Sequence, residues 1–251
     1  MQKALITGAS SGIGKELALI MAAAGHDLVL VARNKDDLLR VQKEIIASHD
    51  VDVQVCAADL SLPGSAKKLY EQIRKQKIEI LVNNAGAGLR GDFFHDNFDR
   101  TTRLAQLNMI SLMELSQLFG RDFLEQNSGK ILNIGSIVAF LPGPKQPAYY
   151  ASKAFVRNLS RALAYNLRNT GVTVTTLHPG VTKTKFFESA NVKNFTSGAS
   201  ARSVALLGYK AMMSGKIEVT HGFWNKLITN VVIRFIPYRL QAPVVDRSSD
   251  A

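Results

Sequence analysis

Three polar side chains near the middle of the chain have the types and spacing needed to move a proton to a carbonyl oxygen. Tyr149 and Lys153 lie four residues apart, or one helical turn, and Ser136 precedes the tyrosine by thirteen residues. A free tyrosine has a pKa of about 10, so we expect Lys153 to lower it by favouring the phenolate. Tyr149 then donates its proton as hydride arrives, while Ser136 holds the oxygen. The alternative is an ordinary Tyr–Lys pair on a helix surface.

A glycine-rich segment from Thr7 to Gly14 follows the first predicted strand and opens the first predicted helix. A helix N-terminus offers unpaired N–H groups and a positive dipole end to a pyrophosphate, and glycines let the backbone approach it. The segment therefore predicts a dinucleotide site rather than a purely structural turn. The residues expected to bind the cofactor there are Gly8, Ser10, Ser11, Gly12, Ile13 and Gly14.

The end of the second predicted strand indicates which dinucleotide is preferred. An acidic residue here grips the ribose 2′-hydroxyl of NAD, but this chain has Ala32 followed by Arg33. An arginine suits the 2′-phosphate of NADP, and Ser10 is placed to donate to the same group. We therefore predict NADP(H); the alternative is that Arg33 is an ordinary charged residue at a strand end.

Two further polar segments follow predicted strands at the sheet edge where open parallel sheets bind ligands. Asp59 is expected to accept from the adenine amino group, unless it is a simple turn residue. Asn83 and Asn84 are either part of the cofactor site or amides that pair with backbone groups. The cofactor residues predicted from these segments are Asp59, Leu60, Asn84, Ala85 and Gly86.

Short apolar runs alternate with longer helical patterns, which is typical of an α/β protein with a parallel sheet covered on both faces. We predict one doubly wound Rossmann domain over residues 1–251, with a sheet of about seven strands and a C-terminal amphipathic helix. Residues 1–130 are mainly the cofactor half, 131–222 the catalytic and substrate half, and 223–251 the C-terminal helix and tail. The predicted strands are 4–7, 28–32, 53–57, 80–83, 131–135, 172–177 and 216–220. The predicted helices are 12–24, 35–47, 65–75, 98–125, 148–169, 199–213 and 223–236.

Composition excludes several other classes of protein. The formal charge is +11, but the Lys and Arg residues are scattered rather than clustered with aromatics, so we expect no nucleic-acid partner. No run reaches the roughly 18 apolar residues of a membrane span, and the first residues do not form a signal peptide, so we expect a cytoplasmic protein. The five histidines lack paired-ligand spacing, and no metal is expected.

Taken together, these motifs resemble the short-chain dehydrogenase/reductase family over nearly the whole chain. Besides the segments already described, the resemblance rests on Asn108 and on His178-Pro179-Gly180 followed by Thr184. It implies that Asn108 completes a proton relay with Lys153, that Lys153 holds the nicotinamide ribose, and that Thr184 contacts the carboxamide. Pro179, Gly180 and Thr182 are expected beside the cofactor.

The resemblance further implies an NADP-dependent oxidoreductase acting on a small carbonyl or alcohol compound. An apolar substrate is expected because Phe140, Phe186 and Phe187 fall in loops that should border Tyr149 and Ser136. The alternative is a catalytically silent NADP(H)-sensing protein, although such proteins typically lose the tyrosine or lysine.

The C-terminus resembles the branch of 3-oxoacyl and steroid ketoreductases rather than the commonest tail of the family. In the predicted helix 223–236 the apolar side chains share one arc of about 140°. We expect this stripe to pack on its own domain or on a partner subunit, with contact to a membrane surface as the less favoured alternative. A homo-oligomer, at least a dimer, is predicted. The stripe contains Trp224, Leu227, Ile228, Val231, Val232 and Phe235.

Overall fold

Seven parallel strands form one sheet at the centre of the molecule. The computed structural model describes residues 2–184, 186 and 198–248. In chain order the strands are β1 (Lys3–Thr7), β2 (Asp27–Ala32), β3 (Val53–Ala57), β4 (Ile80–Asn83), β5 (Gly129–Ile134), β6 (Val172–His178) and β9 (Glu218–Thr220). Two short strands, β7 (Thr182–Lys183) and β8 (Ala199–Ser200), pair separately. The spatial order β3-β2-β1-β4-β5-β6-β9 is that of a doubly wound Rossmann sheet, as predicted.

Helices cover both faces of this sheet because its strands are apolar on both sides. One buried cluster joins β1 and β2 to α1 and α7, and a second joins the other face to α3 and α5. Apolar strands that alternate with amphipathic helices leave no other way to bury both faces. The helices are α1 (Gly12–Ala23), α2 (Lys35–Ile46), α3 (Ser65–Ile73), α4 (Phe98–Ala105), α5 (Ser111–Glu125), α6 (Pro147–Asn166) and α7 (Ala201–Met213).

The predicted helix 98–125 is interrupted at the candidate site residue Asn108. Between α4 and α5, a π-helical turn spans Gln106–Ile110 and contains Asn108. Such a turn inserts one residue into the helix and is frequent at functional sites. Periodicity alone predicted a continuous helix, because a single π turn displaces the apolar pattern too little to be seen.

The C-terminal segment differs more strongly from the prediction. Instead of one helix over 223–236, there are α8 (Phe223–Leu227), a π turn (Ile228–Val232) and α9 (Ile233–Phe235). A further helix, α10 (Tyr238–Ser248), follows Pro237 and contains Pro243; it was not predicted. Because proline usually ends a helix, the residues after Pro237 were predicted to be a tail. In the structure Pro237 only separates two helices.

The described side chains of the apolar stripe are exposed in the single chain, so its own domain does not cover them, and the other half of the expectation, cover by a partner subunit, stays a prediction. Trp224 is 71% exposed and Phe235 is 81% exposed. The polar side turns inward instead, since Thr229 is 3% exposed and donates to the Asn225 carbonyl at 2.9 Å. Within the described residues, no helix combines the length and apolar character needed to cross a bilayer.

Candidate active site

The glycine turn between β1 and α1 leaves no room for side chains on the surface where a dinucleotide would lie. Gly8 has a φ of 65°, in the left-handed region that favours glycine. A Cβ on Gly14 would lie 2.3 Å from the Gly8 carbonyl oxygen. The side chain of the N-cap residue Ser11 does not cap α1, so it does not block the N–H groups of the first turn. This bare helix N-terminus fits a pyrophosphate group.

Asn84, which follows β4, holds this turn in place. Its Nδ2 donates to the carbonyl oxygens of Thr7 at 2.9 Å and Gly8 at 3.0 Å. The Thr7 hydroxyl in turn accepts from the backbone N–H groups of Asn84 and Ala85, each at 3.0 Å. The alternative of a backbone-pairing amide therefore describes its contacts here. Asn83 is buried and donates to Ser116 and Asn133.

The ends of β2 and β3 bring Arg33 and Asp59 together. Arg33 is exposed. Burial alone would raise the pKa of Asp59, but hydrogen bonds from Ser61 and the charges of Arg33 and Arg103 lower it overall. Asp59 accepts from the Ser61 hydroxyl at 2.7 Å. The Leu60 side chain is buried in the hydrophobic cluster that contains residues of α3 and α5, so it packs against the core rather than facing the cofactor site.

Asn108 is buried in the π turn, where its side chain meets the loop that follows β4. Its Oδ1 accepts from the Ala87 N–H, and its Nδ2 donates to the Ala87 carbonyl, both at 2.9 Å. Nδ2 also lies 3.1 Å from the Ser152 hydroxyl. A Cβ on Gly86 would approach Asn108 Oδ1 at 3.3 Å and Lys153 Nζ at 3.6 Å. Gly86 thus allows Asn108 and Lys153 to share one small space, and the relay role of Asn108 stays a prediction.

Lys153 is a buried ammonium on the inward face of α6. Its Nζ donates to the Ile134 carbonyl at the end of β5 at 2.9 Å. The same atom lies 5.9 Å from the centre of the Tyr149 ring. Burial lowers the pKa of Lys153 to about 8, because a charged group loses solvation there. At neutral pH the Lys153 side chain is therefore protonated in most molecules.

The pKa of Tyr149 is shifted in the direction opposite to the sequence-based expectation. Burial raises it, the Ser136 hydroxyl lowers it by a hydrogen bond, and Tyr150 raises it further. Lys153 donates to a carbonyl rather than to the phenol, so loss of solvation dominates. Tyr149 consequently carries its proton at neutral pH, which is the state required of a general acid.

Ser136 lies directly after β5 at the start of a short 3-10 helix, Ile137–Phe140. Its hydroxyl accepts from the Val138 N–H at 3.3 Å and also bonds with Tyr149. Its carbonyl accepts from Nδ1 of His178 at 3.1 Å. The serine is therefore fixed from two sides beside the phenol.

Behind Ser136 lies an ionic cluster that the sequence did not predict. Glu218 on β9 contacts His178, Arg157 and Arg161, each at 2.9 Å. Burial alone would raise the pKa of Glu218, but the hydrogen bond from His178 and the three positive charges lower it to about 2. The two ring nitrogens of His178 meet the Ser136 carbonyl at 3.1 Å and the Glu218 carboxylate at 2.9 Å. The cluster joins α6 to the ends of β6 and β9.

The predicted substrate residues occupy different places. The Phe186 ring lies 5.5 Å from the Tyr149 ring, so it borders the reactive phenol. The Phe140 ring packs against Arg157 at 4.0 Å and His178 at 5.0 Å, and its substrate role stays a prediction. Phe187 lies outside the described residues.

A cleft of about 600 Å³ opens beside the N-terminus of α6. Its walls include Phe93, Phe94 and Pro147, the last of which precedes Tyr149 by two residues. Arg90 and Lys145 line the same cleft. This cleft was not predicted, although the adjacent aromatic residues Phe93 and Phe94 after β4 were a usable signal in the sequence.

The segment after β6 closes the other side of the site. The Pro179 carbonyl accepts from the Ile137 N–H at 3.0 Å, and the buried Thr182 hydroxyl donates to the Gly180 carbonyl at 2.9 Å. A Cβ on Gly12 would lie 2.9 Å from Thr184 Cγ2, so Thr184 stands against the glycine turn. No cluster of three metal-ligating side chains occurs among residues 2–184, 186 and 198–248.

Comparison with known proteins agrees with this arrangement. A family model described as short chain dehydrogenase matches residues 2–194. The chain is 34% identical over 190 residues to a very-long-chain 3-oxoacyl-CoA reductase of Anas platyrhynchos, covering 72% of this chain and 60% of that protein. It is 30% identical over 241 residues to 17-beta-hydroxysteroid dehydrogenase type 3 of Rattus norvegicus, covering 95% and 78%.

A solved structure with a bound cofactor has the same fold. A short-chain dehydrogenase from Sphingobium yanoikuyae in complex with NADPH superimposes with a TM-score of 0.84 at 30% identity, covering 94% of this chain and 97% of that one. The uncapped N-terminus of α1 and its glycine turn fit the pyrophosphate of such a dinucleotide. The chain belongs to the short-chain dehydrogenase/reductase family of oxidoreductases.

Proposed function

We propose that the protein is an NADPH-dependent reductase of apolar carbonyl compounds, of the 3-oxoacyl or steroid-ketone type. The observation that carries this proposal is the geometry around Tyr149: its hydroxyl bonds to Ser136, and Lys153 Nζ lies 5.9 Å from the centre of its ring. Burial raises the pKa of Tyr149, so the phenol carries a proton that it can give to a carbonyl oxygen.

Tyr149, Ser136 and Lys153 each act in this reduction. The bound nicotinamide would supply the hydride that adds to the carbonyl carbon. Tyr149 gives its phenolic proton to the carbonyl oxygen, and the Ser136 hydroxyl bonds to the same oxygen as negative charge develops. The Lys153 ammonium, held by the Ile134 carbonyl, offers its remaining protons to a ribose hydroxyl and favours the phenolate formed by the transfer.

The preference for NADPH rests on Arg33. The end of β2 carries this exposed cation and no carboxylate at Ala32. The neighbouring Asn34 is engaged in capping α2 through the N–H groups of Asp36 and Asp37. Arg33 is therefore the group at this position suited to a 2′-phosphate. A charged hydrogen bond of this kind contributes about 1.5–3 kcal/mol, or roughly 10- to 100-fold in affinity.

An apolar substrate is favoured by the surroundings of the phenol. Phe186 borders Tyr149, and Phe93 and Phe94 line the neighbouring cleft. The names of the Anas platyrhynchos and Rattus norvegicus relatives also refer to apolar substrates, a very-long-chain 3-oxoacyl-CoA and a 17-beta-hydroxysteroid.

Cys56, a free thiol, is compatible with a reducing cytoplasmic compartment, which cell fractionation would test.

The test is an NADPH-oxidation screen with 3-oxoacyl thioesters, steroid ketones, diketones and small aldehydes. We expect turnover with the larger apolar ketones, and a kcat/KM for NADPH well above that for NADH. Arg33→Ala should reduce NADPH affinity roughly 10- to 100-fold and barely change NADH affinity. Arg40→Ala, which removes an exposed arginine of α2 paired with Asp37, is the matched control and should change neither.

Two results would contradict the proposal. Equal kcat/KM for the two cofactors in the unaltered protein would contradict the role of Arg33. Tight NADPH binding by a folded protein without turnover of any ketone would instead indicate a catalytically silent sensor of the cofactor.

A further inference from the structure

The segment from α8 to α9 is oriented with its apolar side away from the protein. Thr229 is buried and bonds to the Asn225 carbonyl, while the Asn225 amide donates to the His221 carbonyl at 2.9 Å. Asn225 also fills the space beside Gly180, where a Cβ would meet its Nδ2 at 2.3 Å. These polar contacts hold the inward side against the domain. The opposite side makes no such polar contact with residues 2–184, 186 or 198–248.

We call that opposite side the C-terminal apolar face. Its members are large hydrophobic or aromatic side chains that are exposed, and a large exposed apolar patch usually marks an interaction site. The face consists of Phe223, Trp224, Leu227, Ile228, Val231 and Phe235.

The charges around this face indicate what covers it. Between Phe223 and Leu240 the sequence contains Lys226, Arg234 and Arg239 and no acidic residue. A second copy of the same face would bring like charges together, which opposes self-association. An anionic lipid surface offers both an apolar layer for the aromatic side chains and negative headgroups for the basic ones.

We propose that the C-terminal apolar face docks the protein onto the surface of anionic lipid bilayers. Phe223 and Trp224 enter the headgroup boundary, a position that amphipathic aromatic rings favour. Lys226 and Arg239 lie beside the lipid phosphates. This docking is peripheral, and it does not depend on the identity of the substrate.

The helix that follows this face contacts the cleft beside the N-terminus of α6. Lys145, which lines the cleft, forms an ion pair with Asp246 of α10 at 3.3 Å. We expect docking to bring the cleft near the bilayer, where apolar ketones dissolve. This last step rests on the proposed function, whereas docking itself is measured without any turnover.

Trp224 makes the test direct, because it is the single tryptophan of the chain and lies on the face. The full chain is mixed with vesicles of phosphatidylcholine and phosphatidylglycerol in equal parts, and with vesicles of phosphatidylcholine alone. We expect a blue shift of Trp224 fluorescence and co-flotation with the anionic vesicles, both weakened by high salt. Lys226→Glu should lower the affinity for anionic vesicles several-fold.

A matched pair of variants distinguishes binding through this face from non-specific adsorption to lipid. Phe235 and Phe98 are 81% and 82% exposed but lie on different elements. Phe235→Gln should weaken co-flotation at least tenfold, whereas Phe98→Gln should leave it unchanged. Circular dichroism and NADPH binding check that both variants are folded.

Three outcomes would overturn the proposal. The first is no fluorescence shift with either vesicle type. The second is an equal loss in both variants, which would show that the face has no special role. The third is a dimer that Phe235→Gln dissociates in the absence of vesicle binding, which would make a second copy the occupant.

Discussion

Replacing Glu218 with glutamine should destabilise the folded protein by about 2 kcal/mol at neutral pH. The cluster around this carboxylate lowers its pKa from 4.5 to about 2. At about 1.4 kcal/mol per unit, this shift corresponds to an upper bound of about 3.4 kcal/mol. The side chain is 22% exposed, and solvent screening reduces the bound to about 2 kcal/mol. The amide also leaves His178 and Arg157 without a full counter-charge in a buried place.

The pH dependence of this difference follows from the sign of the shift. The folded-state pKa is lower than the unfolded one, so the stabilisation is fully present above pH 4.5. It is lost as pH falls from 4.5 through 2. Urea unfolding of both proteins should therefore give a difference that falls by more than half between pH 5 and pH 3.

Glu16→Gln is the matched control for this measurement. Glu16 pairs with Arg202 at 3.5 Å, and Arg202 is 70% exposed. Exposed pairs of this kind contribute about 0–1 kcal/mol, so the control should change stability little. A Glu218→Gln effect no larger than that of the control, or one that does not vary with pH, would refute the reasoning.

The remaining predictions concern catalysis and assembly. Tyr149→Phe should abolish nearly all NADPH-dependent turnover but keep the NADPH dissociation constant within a few-fold, and substantial turnover would contradict the acid role. Burial lowers the pKa of Lys153 to about 8, so its charge is present below pH 8 and lost above it. The NADPH affinity of the unaltered protein, measured by fluorescence titration, should fall several-fold from pH 7 to pH 9, and Lys153→Met should lack this dependence. Light scattering should give at least a dimer, assembled through α5 and α6, and a monomer mass would contradict it.

The order of strands and helices was predictable because each apolar run carries its own local signal. Val53–Ala57 and Ile80–Asn83 were predicted with the bounds that the structure has. The strand–glycine–helix unit at the N-terminus was equally local, since three glycines and a helix start lie within eight residues. Its contact with Asn84 depends on a pairing more than seventy residues distant, which no local pattern contains.

The direction of the Tyr149 pKa shift could not be predicted from the sequence. The spacing of Tyr149 and Lys153 correctly placed both on one helix, but it said nothing about what the ammonium would contact. In the folded chain the Ile134 carbonyl accepts a hydrogen bond from the Lys153 ammonium, and burial then has the largest effect on the pKa of the Tyr149 phenol. Helical spacing identifies residues that can meet; solvation, set by the rest of the fold, decides their charge.

The same distinction explains the ionic cluster behind Ser136. His178, Glu218 and Arg157 come from β6, β9 and α6, and none of them has a spacing that suggests the others. Once the sheet forms, β9 pairs with β6 so that His178 lies opposite Thr220, and Glu218 is opposite Thr176 two residues earlier. This register brings the carboxylate to the imidazole that holds the Ser136 carbonyl. The edge strand thereby helps to fix Ser136, the serine that we propose to bind the carbonyl oxygen, and a substitution at Glu218 should alter the position of Ser136.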